Sequence, residues 1–241
     1  MGRSKRTSID RLEEDVLDES IATQSLLKTV VVLGGRAFSQ PLRKWALNEL
    51  RGYNGPLEEI PQYRTIGAPI QADSRSPFWE VRNQIISVFD LPKFAQEDLD
   101  EVFPVRYSVA KIQSLITGHG ENETIKLQLP AAPELARVMS YERRDERVIV
   151  ESLYWAVHVS ALQDILEQVR NRLIEFIADL RSQMPPGAEV PTVMQVHRTV
   201  QNIYVSSGDN SPVHVNAPVA PERANALVEI PTVKRRWFRT R

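Results

Sequence analysis

The chain has 241 residues, 42% apolar and 25% charged, a composition ordinary for a packed domain, which excludes wholesale disorder. Thirty Lys and Arg against 31 Asp and Glu leave a net charge of −1, which excludes coating nucleic acid by bulk charge but not a local basic patch. There is no Cys, so disulfides, thiolate zinc sites, iron–sulfur clusters and Cys nucleophiles are all excluded.

The charge-free run from Ser152 to Gln163 is well short of the ~20 apolar residues of a spanning helix. Acids follow the basic opening MGRSKR where a signal peptide would place its apolar stretch, and Arg6 stands where a myristoylation signal needs Ser or Thr. The expected location is the cytoplasm.

In chain order, Ile9, Leu12 and Val16 recur at helical spacing and predict a first helix over Thr7 to Glu19. A second helix is expected from Thr23 to Leu33, ended by Gly34-Gly35. Pro41 suits the first turn of a third helix, with Leu42, Trp45, Ala46 and Leu50 on one face and Gly52 as its stop. Alternation of Ile66, Ala68, Ile70 and Ala72 predicts an extended stretch, which Pro69 confines to an edge or a bulge.

Further strands are expected over Gln84 to Phe89, Val102 to Tyr107 and Thr124 to Leu129, and helices over Ser108 to Ile116 and Ala132 to Arg143. Val148 to Val159 reads as a strand whose alternation slips at Ser152-Leu153, the mark of a bulge.

The longest predicted helix runs from Ser160 to Met184, with Ser160 and Gln163 at capping-box spacing. Its Leu162, Leu166, Val169, Leu173, Phe176 and Leu180 form a heptad seam, which serves either this chain's own core or a helical dimer. Beyond Pro185-Pro186-Gly187, two β-prone runs, Val200 to Ser206 and Pro212 to Ala217, flank a Ser-Gly-Asp-Asn-Ser turn and predict a hairpin. A lone hairpin is marginal in water, so it must dock or pair with copies of itself. The expected division is an α+β domain over 1–185, a strand-rich association element over 186–220 and a basic tail over 221–241.

Few constellations carry chemistry. None of the four histidines, His119, His158, His197 and His214, makes a metal pair with another; His119, in a glycine loop, is a weak catalytic candidate. Glu14 and Asp18 share a helix face at i,i+4, a spacing able to hold Mg²⁺ in a nuclease; the plainer reading of this acidic cluster is a solvated helix face. No phosphate loop, dinucleotide fingerprint or nucleophile elbow is present, and neither a resident metal nor a cofactor is expected. The C-terminus carries Lys234, Arg235, Arg236, Arg239 and Arg241 around Trp237 and Phe238, a pattern that suits nucleic acid or an anionic membrane surface as well as a solvated tail.

The segments WALNELRGY at 45–53, IPQYR at 60–64 and VSALQDILEQVRNRLIEFI at 159–177 occur in that order. With the opening DVLDESIATQSLLKTVVVL and the run from Gln195 through Val215, they resemble the AbiTii domain, named for a bacterial abortive-infection (phage-exclusion) protein. The resemblance, over Ile9 to Val215, implies antiphage defence and carries no catalytic residue with it. Arg170 and Arg172, off the heptad seam, are expected to pair with acids of the first helix or to form an anion-binding face. The basic tail departs from the family pattern.

The expected fold is α+β: N-terminal helices, a small mixed or antiparallel sheet, a long heptad-like helix and then a β-hairpin. The expected function is defence by oligomerisation or partner binding, the partners being further copies of the chain, a phage or host protein, and nucleic acid through the tail. The alternatives are a metal-dependent nuclease or other toxic enzyme using the N-terminal acids, and a binder of nucleic acid or membrane through the tail.

Overall fold

A computed structural model of the chain describes residues 8–36, 39–120, 123–185, 188, 191–196 and 199. The predicted hairpin and the basic tail lie outside the described residues, as do His197 and His214.

The fold is α+β. Helices α1 (Ser8–Leu17), α2 (Thr23–Arg36) and α3 (Gln40–Arg51) lead into β1 (Thr65–Gly67), β2 (Ile70–Arg75), β3 (Glu80–Ile86) and β4 (Val102–Pro104). Then come α4 (Val109–Thr117), β5 (Thr124–Gln128), α5 (Ala132–Glu142), β6 (Ile149–His158) and α6 (Val159–Gln183). Strands β3-β2-β6-β5 form an antiparallel four-stranded sheet, and β1 pairs with β4 in a two-stranded one. Among the described residues no helix is long and apolar enough to cross a membrane.

Two apolar clusters build the interior. The larger joins α1–α4 to α6 and the end of the main sheet, through Leu12, Leu27, Leu42, Trp45, Val157, Leu173 and Phe176. The smaller sits under the sheet between α5 and the loop after β3, through Ile70, Ile86, Leu91, Leu135 and Leu153. Trp155 packs against both and donates its indole N–H to the Asp100 carbonyl at 2.9 Å. All six seam residues of α6 are buried within this chain. Val159, Ile165 and Ile177 are buried beside them, widening the seam to the broad stripe of a core helix.

The structure corrects several expectations. Helix α2 runs through Gly34-Gly35 to Arg36, because Gly34 is where α3 crosses: a Cβ there would lie 3.2 Å from the Arg43 amide nitrogen. The stretch Ile66 to Ala72 is two strands in two sheets, separated at Ala68-Pro69. Strand β3 lies earlier than Gln84 to Phe89; Val88–Asp90 is a 3₁₀ turn capped by Ser87. The cap of α6 is His158, whose Nδ1 accepts from the Ser160 amide at 3.3 Å, and not a Ser160–Gln163 box. The β6 bulge is real: Asp73 pairs with Ser152 and Ser74 with Val150, which leaves Glu151 as the extra residue.

Candidate functional site

Helix α3 turns an acid inward. Glu49 falls on the same face as Leu42, Trp45 and Ala46 and is fully buried. A buried carboxylate needs a partner and several donors. Arg64, also fully buried, supplies both: its Nη2 meets Glu49 Oε2 and its Nε donates to Oε1 at 3.1 Å. The hydroxyls of Tyr53 and Tyr63 each donate to Oε1 at 2.6 Å, and the Trp45 indole N–H donates to the Tyr63 hydroxyl at 3.0 Å. Arg64 Nη1 donates to the carbonyls of Val105 at 3.1 Å and Tyr107 at 2.6 Å, tying the chain before α4 to the same knot. Burial and the adjacent Glu49 charge push both tyrosines well above the ordinary phenol range, so they remain protonated donors. This knot joins the WALNELRGY and IPQYR segments, and its closure makes it a brace.

A second polar cluster lies on the sheet face opposite the smaller core. Asp73 of β2 is buried, with Oδ1 accepting from the Asn83 amide at 2.8 Å and the Tyr154 hydroxyl at 2.9 Å. Its Oδ2 accepts from Lys126 Nζ at 2.9 Å and Ser152 Oγ at 3.0 Å. Burial opposes the charge, but the Asn83, Lys126, Tyr154 and Ser152 donors outweigh it and hold the carboxyl well below its usual range. Both oxygens are engaged, so Asp73 serves as an anchor and not as a base. What it anchors is β3: Asn83 sits in the left-handed region at φ 56° within a bulge, its backbone amide held by Asp73 and its side-chain amide 2.9 Å from the Tyr154 hydroxyl.

The strand thus held is one of the two edges of the four-stranded sheet, β5 being the other. The β2–β3 hairpin displays Phe78 at 87% exposure, Trp79 at 43%, Val81 at 37% and Ile85 at 67%. Large apolar side chains on an unpaired strand edge form a surface that templates association.

The residues singled out from sequence fall elsewhere. Asp18 lies just past α1 and accepts from the Ser20 hydroxyl at 2.7 Å and amide at 2.9 Å, which holds its carboxyl below the usual range. Glu14 is exposed on α1; its neighbours Asp10 and Glu13 pair with Arg181 of α6, Glu13 at 2.8 Å. No group of three or more His, Cys, Asp and Glu among the described residues is placed to hold a metal ion. His119 is exposed, its Nδ1 2.8 Å from the Leu115 carbonyl at the end of α4. Arg170 donates to the carbonyls of Val16 at 3.0 Å, Ile21 at 3.0 Å and Asp18 at 2.5 Å, capping α1. Arg172 is buried, its guanidinium 4.4 Å from the Tyr63 ring centroid. Sequence reasoning passed over Glu49, Arg64, Asp73 and Asn83. A charged residue on the apolar stripe of α3 was the available signal for Glu49.

A family model described as AbiTii matches residues 8–205. No curated protein matches the chain, and no solved structure does.

Proposed function

The chain belongs to the AbiTii family, and from that premise we propose that it is a bacterial abortive-infection defence protein, working in the cytoplasm by association with further copies of itself. The observation that supports association is the β2–β3 hairpin, a free edge carrying Phe78, Trp79, Val81 and Ile85. Burying such side chains contributes about 1.5–3 kcal/mol each, enough to drive pairing. The bulge at Asn83 limits continuous main-chain pairing, so the side chains carry the recognition. The predicted hairpin within 186–220 is proposed as a second association element, and the basic tail within 221–241 as a polyanion contact.

Light scattering on the full chain tests this reading. The wild type is expected at a multiple of 27.4 kDa, and a Val81→Lys/Ile85→Lys variant, at unchanged melting temperature, at a lower multiple. Equal masses for the two proteins would move association away from this edge.

A further inference from the structure

Helix α3 has a second face. Turning Glu49 inward removes the only acid of the helix from its surface, because Arg64 consumes that carboxylate in the interior. Outside remain Arg43, Lys44 and Arg51, and these line an open groove of about 750 Å³ with Gln40, Asn48 and Asn54. No acid lines it. Arg43 and Arg51 carry no ion pair among the described residues, and Lys44 makes only an exposed contact with Glu59 at 3.2 Å. Exposed pairs of that kind contribute little and exchange readily for a stronger anion.

The groove is built as well as charged. Arg43, Leu47 and Arg51 recur every four residues, so the two guanidinium stems stand two turns apart, ~12 Å along the axis. The far wall begins at Gly52, whose φ of 92° and lack of a side chain are both needed: a Cβ would meet the Arg106 carbonyl at 2.6 Å. Arg106 then braces the wall, donating to the carbonyls of Tyr53 at 3.1 Å and Gly55 at 2.7 Å. Guanidiniums match phosphate oxygens in fork geometry, and the Asn and Gln amides add neutral donors. Among the described residues the lining has one large apolar side chain, Leu47, and is otherwise dominated by cationic and amide groups.

We propose that the outer groove of α3 binds the phosphate backbone of a nucleic-acid strand, through Arg43, Lys44 and Arg51, without regard to base sequence. The chain's net charge of −1 makes the attraction local to this groove. The groove shares no residue with the β2–β3 hairpin.

The test is fluorescence anisotropy of a labelled single-stranded oligonucleotide with the full chain, over a salt series. Removing two phosphate contacts lowers the salt slope by ~1.4, at ~0.7 per contact, which is about 25-fold in affinity over one decade of salt. Arg43→Ala/Arg51→Ala is therefore expected to bind about 25-fold more weakly at 0.1 M salt, equally on unrelated sequences, with an unchanged melting temperature. Arg43→Lys/Arg51→Lys retains most of the affinity. Wild-type affinity and slope in the double alanine variant would overturn the proposal, by assigning all binding to other surfaces. So would equal losses in the lysine and alanine variants, or a loss confined to vesicles of anionic lipid.

Discussion

Glu49 and Arg64 meet in the interior with neither side chain exposed, and their pair joins the segments WALNELRGY and IPQYR. The pair fastens these two segments together. Glu49 comes from the third turn of α3, Arg64 from a 3₁₀ turn, and the arginine continues to carbonyls at the start of the α4 segment.

Breaking one half of this pair leaves an uncompensated charge in the core. Glu49→Gln is expected to destabilise the domain by roughly 3–5 kcal/mol, and Trp45→Ala, which empties a 1%-exposed site, by a similar amount. Urea denaturation followed by far-ultraviolet circular dichroism measures both. Replacing Glu49 and Arg64 together by Met is expected to lose less than either single change. A double variant as unstable as the sum of the two singles would contradict the pairing.

Asp73 sets an acid limit to stability. Its carboxyl is held below the ~3.9 of an unfolded chain, so the unfolded state takes up its proton first as pH falls. The contribution is complete above about pH 5 and is lost progressively below about pH 4, toward the lowered native value. The urea midpoint of the wild type is expected to fall over that window more steeply than that of Asp73→Asn. Parallel curves would show that Asp73 carries no such linkage.

Adjacent glycines of α2 are expected to respond in opposite directions. Gly34 faces the α3 crossing, where a Cβ would lie 3.2 Å from the Arg43 nitrogen and 3.4 Å from the Ser39 carbonyl oxygen. Gly34→Leu is expected to destabilise by roughly 1–3 kcal/mol through overpacking. Among the described residues nothing lies within 4 Å of a Cβ at Gly35, so Gly35→Ala is expected to stabilise by roughly 0.5–1 kcal/mol through helix propensity. Thermal melts of the two variants check the contrast.

The helices were legible because their periodicity is strong. The seam of α6 and the Pro41-to-Gly52 frame of α3 sit where their spacing placed them. The glycine pair misled because a glycine stop and a glycine at a close helix crossing look alike in one sequence; only the packed partner distinguishes them. The Asp73 cluster was illegible for a related reason. Its members come from four strands, and a bulge on β3 and another on β6 bring them together, so no local spacing encodes it. Arg170 was expected to pair with acids of the first helix or to form an anion-binding face; that it donates to main-chain carbonyls is a tertiary fact.

Defence is proposed to run through association at the exposed edge of β3. Its most direct test is phage plating efficiency on bacteria expressing either the wild type or the Val81→Lys/Ile85→Lys variant, at matched levels of folded protein. The wild type is expected to suppress plaques and the variant is not. Full protection by the variant would contradict it.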